Sequence, residues 1–127
     1  MDLAGLLSAK CVACEGGAQP FSSEQVSSFL KMVPTWSLNG AGHLCKQFKL
    51  KDFVAAMDFL NKVAQLAEGE GHHPDFSVHY NKVDFEIWTH AVKGLTENDF
   101  ILAAKIDGLA RGQKFPAITG RASPSLA

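Results

Sequence analysis

Cysteine is scarce. Cys11, Cys14 and Cys45 are the only three, and an odd number argues against a secreted disulfide framework and for a reducing compartment. Charge of one sign is missing too: 12 Lys+Arg stand against 13 Asp+Glu, a net charge of -1 with no basic block. Nucleic-acid binding therefore has no electrostatic support. No apolar run approaches the roughly 20 residues that a membrane-spanning helix needs. There is no Gly-rich phosphate loop, and no Ser or Cys sits in a recognisable nucleophile motif, so phosphoryl transfer and covalent catalysis are poorly supported. The opening Met1-Asp2-Leu3-Ala4-Gly5-Leu6-Leu7 lacks a basic stretch, and no signal peptide is expected. The expected setting is the cytoplasm or another reducing compartment, an organelle included where a transit peptide has been removed.

What remains is ordinary globular material. The chain has 127 residues, 46% hydrophobic and 20% charged. That suits one domain with a core large enough to need no metal or disulfide staple. Residues 1–20 are rich in Ala, Gly and Cys without sustained periodicity and read as an N-terminal arm or loop. Residues 112–127 hold Pro116, Gly120, Ser123, Pro124 and Ser125 and read as an irregular tail. The domain proper is 21–111.

Within it, Ser22 and Gln25 form a capping box, with Phe21 and Val26 placed as a hydrophobic staple. Val26, Phe29, Leu30 and Val33 continue a helical face until Pro34 stops it. Trp36–Leu38 and Leu44–Leu50 flank Asn39-Gly40-Ala41-Gly42 as a hairpin. Phe53, Ala56, Met57, Leu60, Val63, Ala64 and Ala67 make one apolar stripe on a second helix that ends near Glu68, with Gly69 and Gly71 beyond it. Phe76, Val78 and Tyr80 alternate in a strand, Asn81-Lys82 is the expected turn, and Val83, Phe85, Ile87 and Thr89 share one face of the next strand. Thr96 caps a last helix carrying Phe100, Leu102, Ala103, Ile106 and Leu109. The order α-β-β-α-β-β-α predicts an α+β fold, a four-stranded antiparallel sheet covered by helices on one face. Trp88 points away from that face, so part of the second face is expected to be covered.

The chemistry lies in His72, His73 and His90. Imidazole exchanges protons near neutral pH. His72 and His73 leave a helix C-terminus, and Pro74 biases His73 towards an extended conformation. His90 lies opposite the Phe85/Ile87 stripe. If the third and fourth strands pair, Pro74-Asp75 lies beside Thr89-His90 and all three histidines can line one cleft. Glu68, four residues before His72, is placed to orient it, and Asp99 can enter the same cleft. Such a group suits general acid–base chemistry. Zinc is the rival: Cys11-Val12-Ala13-Cys14 is a CxxC that His72-His73 could complete, but no second paired half exists. A non-catalytic interaction module is a third possibility.

Glu68-xxx-His72-His73-Pro74, Tyr80-Asn81-Lys82-Val83, Thr89-His90 and Gly94-Leu95-Thr96-xx-Asp99 together resemble the pterin-4a-carbinolamine dehydratases. Lys46-Gln47-Phe48, Lys51-Asp52-Phe53 and the Cys-x-x-Cys-x-Gly-Gly arm are similar to that family as well; the likeness spans roughly residues 11–110. It implies the same α+β fold, assembly into homodimers or homotetramers, and dehydration of 4a-hydroxytetrahydropterin to quinonoid dihydropterin, which recycles the cofactor of aromatic amino acid hydroxylases. The alternative it carries is a coactivator or chaperone-like module on that fold. By position, His72 and His90 become the acid/base pair and His73 a pterin-binding residue. Glu68 and Asp99 orient the histidines, and Pro74, Thr89, Ala91 and Val92 line or shape the pocket. The pterin is the substrate. No metal or organic cofactor is expected, and no nucleic-acid or membrane partner.

Overall fold

The computed structural model describes residues 1–12 and 19–114. Its elements are α1 (Leu3–Ser8), α2 (Ser23–Leu30), β1 (Ser37–Leu38), β2 (Leu44–Lys49), α3 (Phe53–Glu70), β3 (Asp75–His79), β4 (Lys82–Ile87), a 3₁₀ turn (His90–Val92) and α4 (Glu97–Ala110). The strands run antiparallel in the order β1-β2-β4-β3, and the fold is the α+β architecture read from the sequence. None of the helices is long and apolar enough to cross a membrane, among the described residues.

Alternation on β4 decides which face is dry. Val83, Phe85 and Ile87 are buried while Asp84 and Glu86 point outward. In β2, Leu44 and Phe48 join the same inner face, through pairs that set Leu44 against Ile87 and Phe48 against Val83. Phe48, Phe59 and Phe85 pack together at 5.1–6.1 Å, Phe85 edge to face with the other two, so α3 lies on the sheet through its aromatic side. α4 packs on α1 and α3 and is buried from Asn98 to Gly108.

That packing turns α3 slightly from the stripe expected of it. Phe59 and Leu66 are buried with Ala56, Leu60, Val63 and Ala67, whereas Phe53, Met57 and Ala64 face solvent. Spacing alone admits both stripes; the bulk of Phe59 against the two sheet phenylalanines selects the inner one. α3 also runs to Glu70 through Gly69, and Gly71 takes the left-handed cap at φ 66°. The capping box of α2 forms, with Ser22 Oγ accepting from Gln25 N–H and Gln25 Oε1 from Ser22 N–H. That helix ends at Leu30, ahead of Pro34.

Two further expectations are corrected. Residues Leu3–Ser8 are helical rather than a loose arm: Asp2 caps the helix, accepting from Gly5 N–H at 2.9 Å, and Leu6 is wholly buried. One inward leucine on six residues is too short a pattern to show periodicity. The tight turn of the second hairpin is Tyr80-Asn81, one residue earlier than read, because His79 pairs with Lys82. Tyr80 takes φ 56° there, and Asn81 is tied to the end of β2 by two hydrogen bonds with Leu50, at 2.8 and 2.9 Å. Of the expected irregular tail, residues 115–127 lie outside the described residues.

Candidate active site

Gly71 ends α3 and aims the next two residues apart. His72 turns inward, its side chain only 13% exposed, and His73 turns out at 59%. The hairpin β3-β4 then carries the chain back, and the 3₁₀ turn after Thr89 places His90 beside them. A bridge between Thr89 and Gly94 closes that turn. Gly94 is needed because a Cβ on it would stand 2.8 Å from the Pro20 ring. The result is a cleft of about 320 Å³ whose lining includes His72, His73, Asp75, Trp88, Thr89 and His90, with Ala91, Gly71, Val12 and Asn98.

Asp99, expected to enter this cleft, is not among its lining residues and holds His72 from behind. It is wholly buried, in the first turn of α4. Its Oδ1 lies 2.6 Å from His72 Nε2, while Oδ2 accepts from Thr89 Oγ1 and from Thr96 N–H, both at 2.8 Å. Since the Thr89 hydroxyl donates to Asp99, its 2.9 Å contact with Thr96 Oγ1 must have Thr96 as donor. A carboxylate only accepts, so His72 carries a proton on Nε2, and the neutral ring keeps its lone pair on Nδ1. The expected partner of His72 is thereby changed: Glu68 pairs with His73, at 2.5 Å, and Asp99 with His72. Four residues along a helix bring Glu68 level with His72 only while the helix continues, and Gly71 breaks it.

Sequence reasoning placed Thr89 and Ala91 at the pocket, and both line the cleft; Glu68, Pro74 and Val92 are not among its lining residues. Trp88, Asp75, Asn98 and Val12 are additions. The period-two pattern that sets Trp88 opposite Ile87 was the available signal for the first of these. Val12 arrives by a long-range tie: Asn98 Oδ1 accepts from Val12 N–H at 3.0 Å, and Asn98 Nδ2 donates to Val12 O at 2.6 Å.

Cys11 is buried, its N–H donating to Glu70 Oε1 at 2.8 Å and its thiol to Asn98 O at 3.5 Å. Burial, with the Glu70 charge beside it, pushes that thiol up to about 12. Burial also favours a protonated Glu70, but the Lys105 ammonium at 2.7 Å and the Cys11 N–H outweigh it and hold the carboxyl below its usual range. Among the described residues no group of three or more His, Cys, Asp or Glu could hold a metal ion, and Cys14 lies outside them.

The cleft of this small α+β domain gathers three histidines, two of them held by carboxylates. Residues 19–109 match the family model described as pterin 4 alpha carbinolamine dehydratase, and the chain belongs to that family. It is 48% identical over 99 residues to a Rickettsia canadensis protein named "Putative pterin-4-alpha-carbinolamine dehydratase", covering 77% of this chain and 91% of that one. A protein of the same name from Methylococcus capsulatus is 42% identical over 111 residues, 87% of this chain and 97% of the relative. The crystal structure of a "transcriptional coactivator/pterin dehydratase" from Brucella melitensis superposes with a TM-score of 0.69 at 31% identity, covering 72% of this chain and 99% of that one.

Proposed function

We propose that this protein dehydrates 4a-hydroxytetrahydropterin to quinonoid dihydropterin and water by histidine acid–base catalysis. One observation carries the reading: the buried Asp99 presents the His72 imidazole, in a defined tautomer, to a cleft it shares with His73 and His90. His72 Nδ1 is the base that takes the proton from the ring nitrogen beside the carbinol carbon. The lone pair released forms the C=N bond and expels the hydroxyl. His90, protonated, delivers the proton that lets oxygen leave as water. His73, outward and tied to Glu68, binds the pterin. The substrate supplies its own electron push, so the reaction calls for no metal or organic cofactor. The proposed partners are the pterin itself and further copies of the chain in a homodimer or homotetramer, within a reducing compartment.

The test is the breakdown of 4a-hydroxytetrahydropterin, generated by a hydroxylase, with and without the protein. His72→Ala and His90→Ala are each expected to lower turnover about 10²-fold or more, the scale of one acid–base residue, in folded protein. Parent-like rates in both variants overturn the reading. The name of the Brucella melitensis protein favours one second reading, an interaction module. Folded protein without turnover that binds a protein partner stoichiometrically, unaffected by the histidine variants, is the result that selects it.

A further inference from the structure

His72 is held by Asp99 and His73 by Glu68, but among the described residues no hydrogen bond or ion pair reaches the His90 ring. It is fixed by stacking instead. The β2–β4 register, which pairs Leu44 with Ile87, sets His43 opposite Trp88 one step further along. The His43 ring lies on the Trp88 indole with centroids 4.2 Å apart and planes within 5°, and the His90 ring lies on it at 3.8 Å and 24°. Two rings at those distances do not fit on one face, so the indole is sandwiched between them. His43 is itself anchored. Its Nδ1 lies 2.7 Å from Glu86 Oε2, and its N–H donates to Asn39 Oδ1 at 3.0 Å. Asn39 Nδ2 donates to the same Glu86 oxygen at 2.6 Å. These hydrogen bonds hold the Glu86 carboxyl below its usual range, so the anchor carries charge. Trp88 and His90 line the cleft, whereas His43 is not among its lining residues.

We propose that His43 is a positioning residue for His90: with Glu86 and Asn39 it forms the fixed end of a stack that holds the His90 imidazole at the cleft wall through Trp88. An exposed ring on a three-residue turn samples several rotamers, and proton transfer needs one of them. A flat indole selects orientations parallel to itself, but only if the indole cannot tilt, and His43 closes its other face. The proposal rests on the catalytic role given to His90 above.

The test uses His43→Ala, His43→Phe and His43→Gln in the full chain. An aromatic pair changes a rotamer population by roughly three- to tenfold, and His43→Ala is expected to lower kcat by that factor with KM little changed. The His90 ring protons, shifted upfield by the indole in the parent, then move towards the positions of an unstacked histidine in NMR spectra. His43→Phe restores both, because it keeps a ring. His43→Gln, which can still reach Glu86 but has no ring, restores neither. Unmoved His90 resonances and kcat in His43→Ala overturn the proposal, as does rescue by Gln or failure of rescue by Phe. A parent chain without dehydratase activity removes the functional reading alone, and the His90 resonances still decide the positional claim.

Discussion

Replacing Asp99 by Asn changes almost no volume and inverts the chemistry of His72. Oδ2 accepts two hydrogen bonds at 2.8 Å, from Thr89 and from the Thr96 N–H, so the amide oxygen must take that place. The NH₂ then faces His72 Nε2, where Oδ1 now stands at 2.6 Å. An NH₂ cannot accept, so His72 must present a lone pair at Nε2 and move its proton to Nδ1. The nitrogen assigned as base becomes a donor. Turnover is expected to fall by about 10²–10⁴, the range for losing a correctly protonated base. One amide hydrogen is left without a partner in a buried place, at a cost of about 1–3 kcal/mol. That corresponds to a drop of roughly 4–15 °C in Tm for a domain of this size, and circular dichroism at the assay temperature checks that the variant is folded. The dehydration assay gives the rate, and ¹⁵N shifts of the His72 ring report the tautomer. Turnover within a fewfold of the parent, with the tautomer inverted, refutes the role of Nδ1.

Three other outcomes follow from the same geometry. Gly94→Ala drives a methyl to 2.8 Å from the Pro20 side chain, and overpacking of this kind is expected to lower stability by about 1–3 kcal/mol in a denaturant titration. Asp107→Ala removes the partner of Lys46 at 2.6 Å and of the Trp36 indole N–H at 3.0 Å. The expected loss is roughly 2–3 kcal/mol, short of the fully buried figure because water still reaches Lys46, and Asp107→Asn should cost less in the same titration. Cys11, with its thiol pushed up to about 12, exposes roughly a thousandfold less thiolate at pH 8 than an ordinary cysteine. Iodoacetamide labelling mapped by mass spectrometry should therefore leave it unmodified until the chain unfolds, and labelling as fast as in denaturant contradicts its burial.

Local patterns determined much of this protein without any knowledge of its three-dimensional form. Period-two alternation placed Val83, Phe85 and Ile87 on one face of β4 and Glu86 and Trp88 on the other, because successive side chains on a strand must point to opposite sides. Capping chemistry located the starts of α2 and α4. The α+β class and the gathering of His72, His73, Thr89, His90 and Asp99 were legible from the hairpin logic and from the family resemblance. Tertiary structure alone decided the rest. Which carboxylate holds which histidine depends on where Gly71 breaks α3, and on α4 approaching from 27 residues away to bring Asp99 to His72. The rotation of α3 depends on Phe59 meeting Phe48 and Phe85. The partnership of His43 with Trp88 depends on β2 pairing with β4, a register between strands separated by a whole helix. Periodicity reports what a residue's neighbours in sequence impose on it. It carries no information on which distant surface fills the other side of a contact, and the pairings of His72 with Asp99 and of His43 with Trp88 are of that kind.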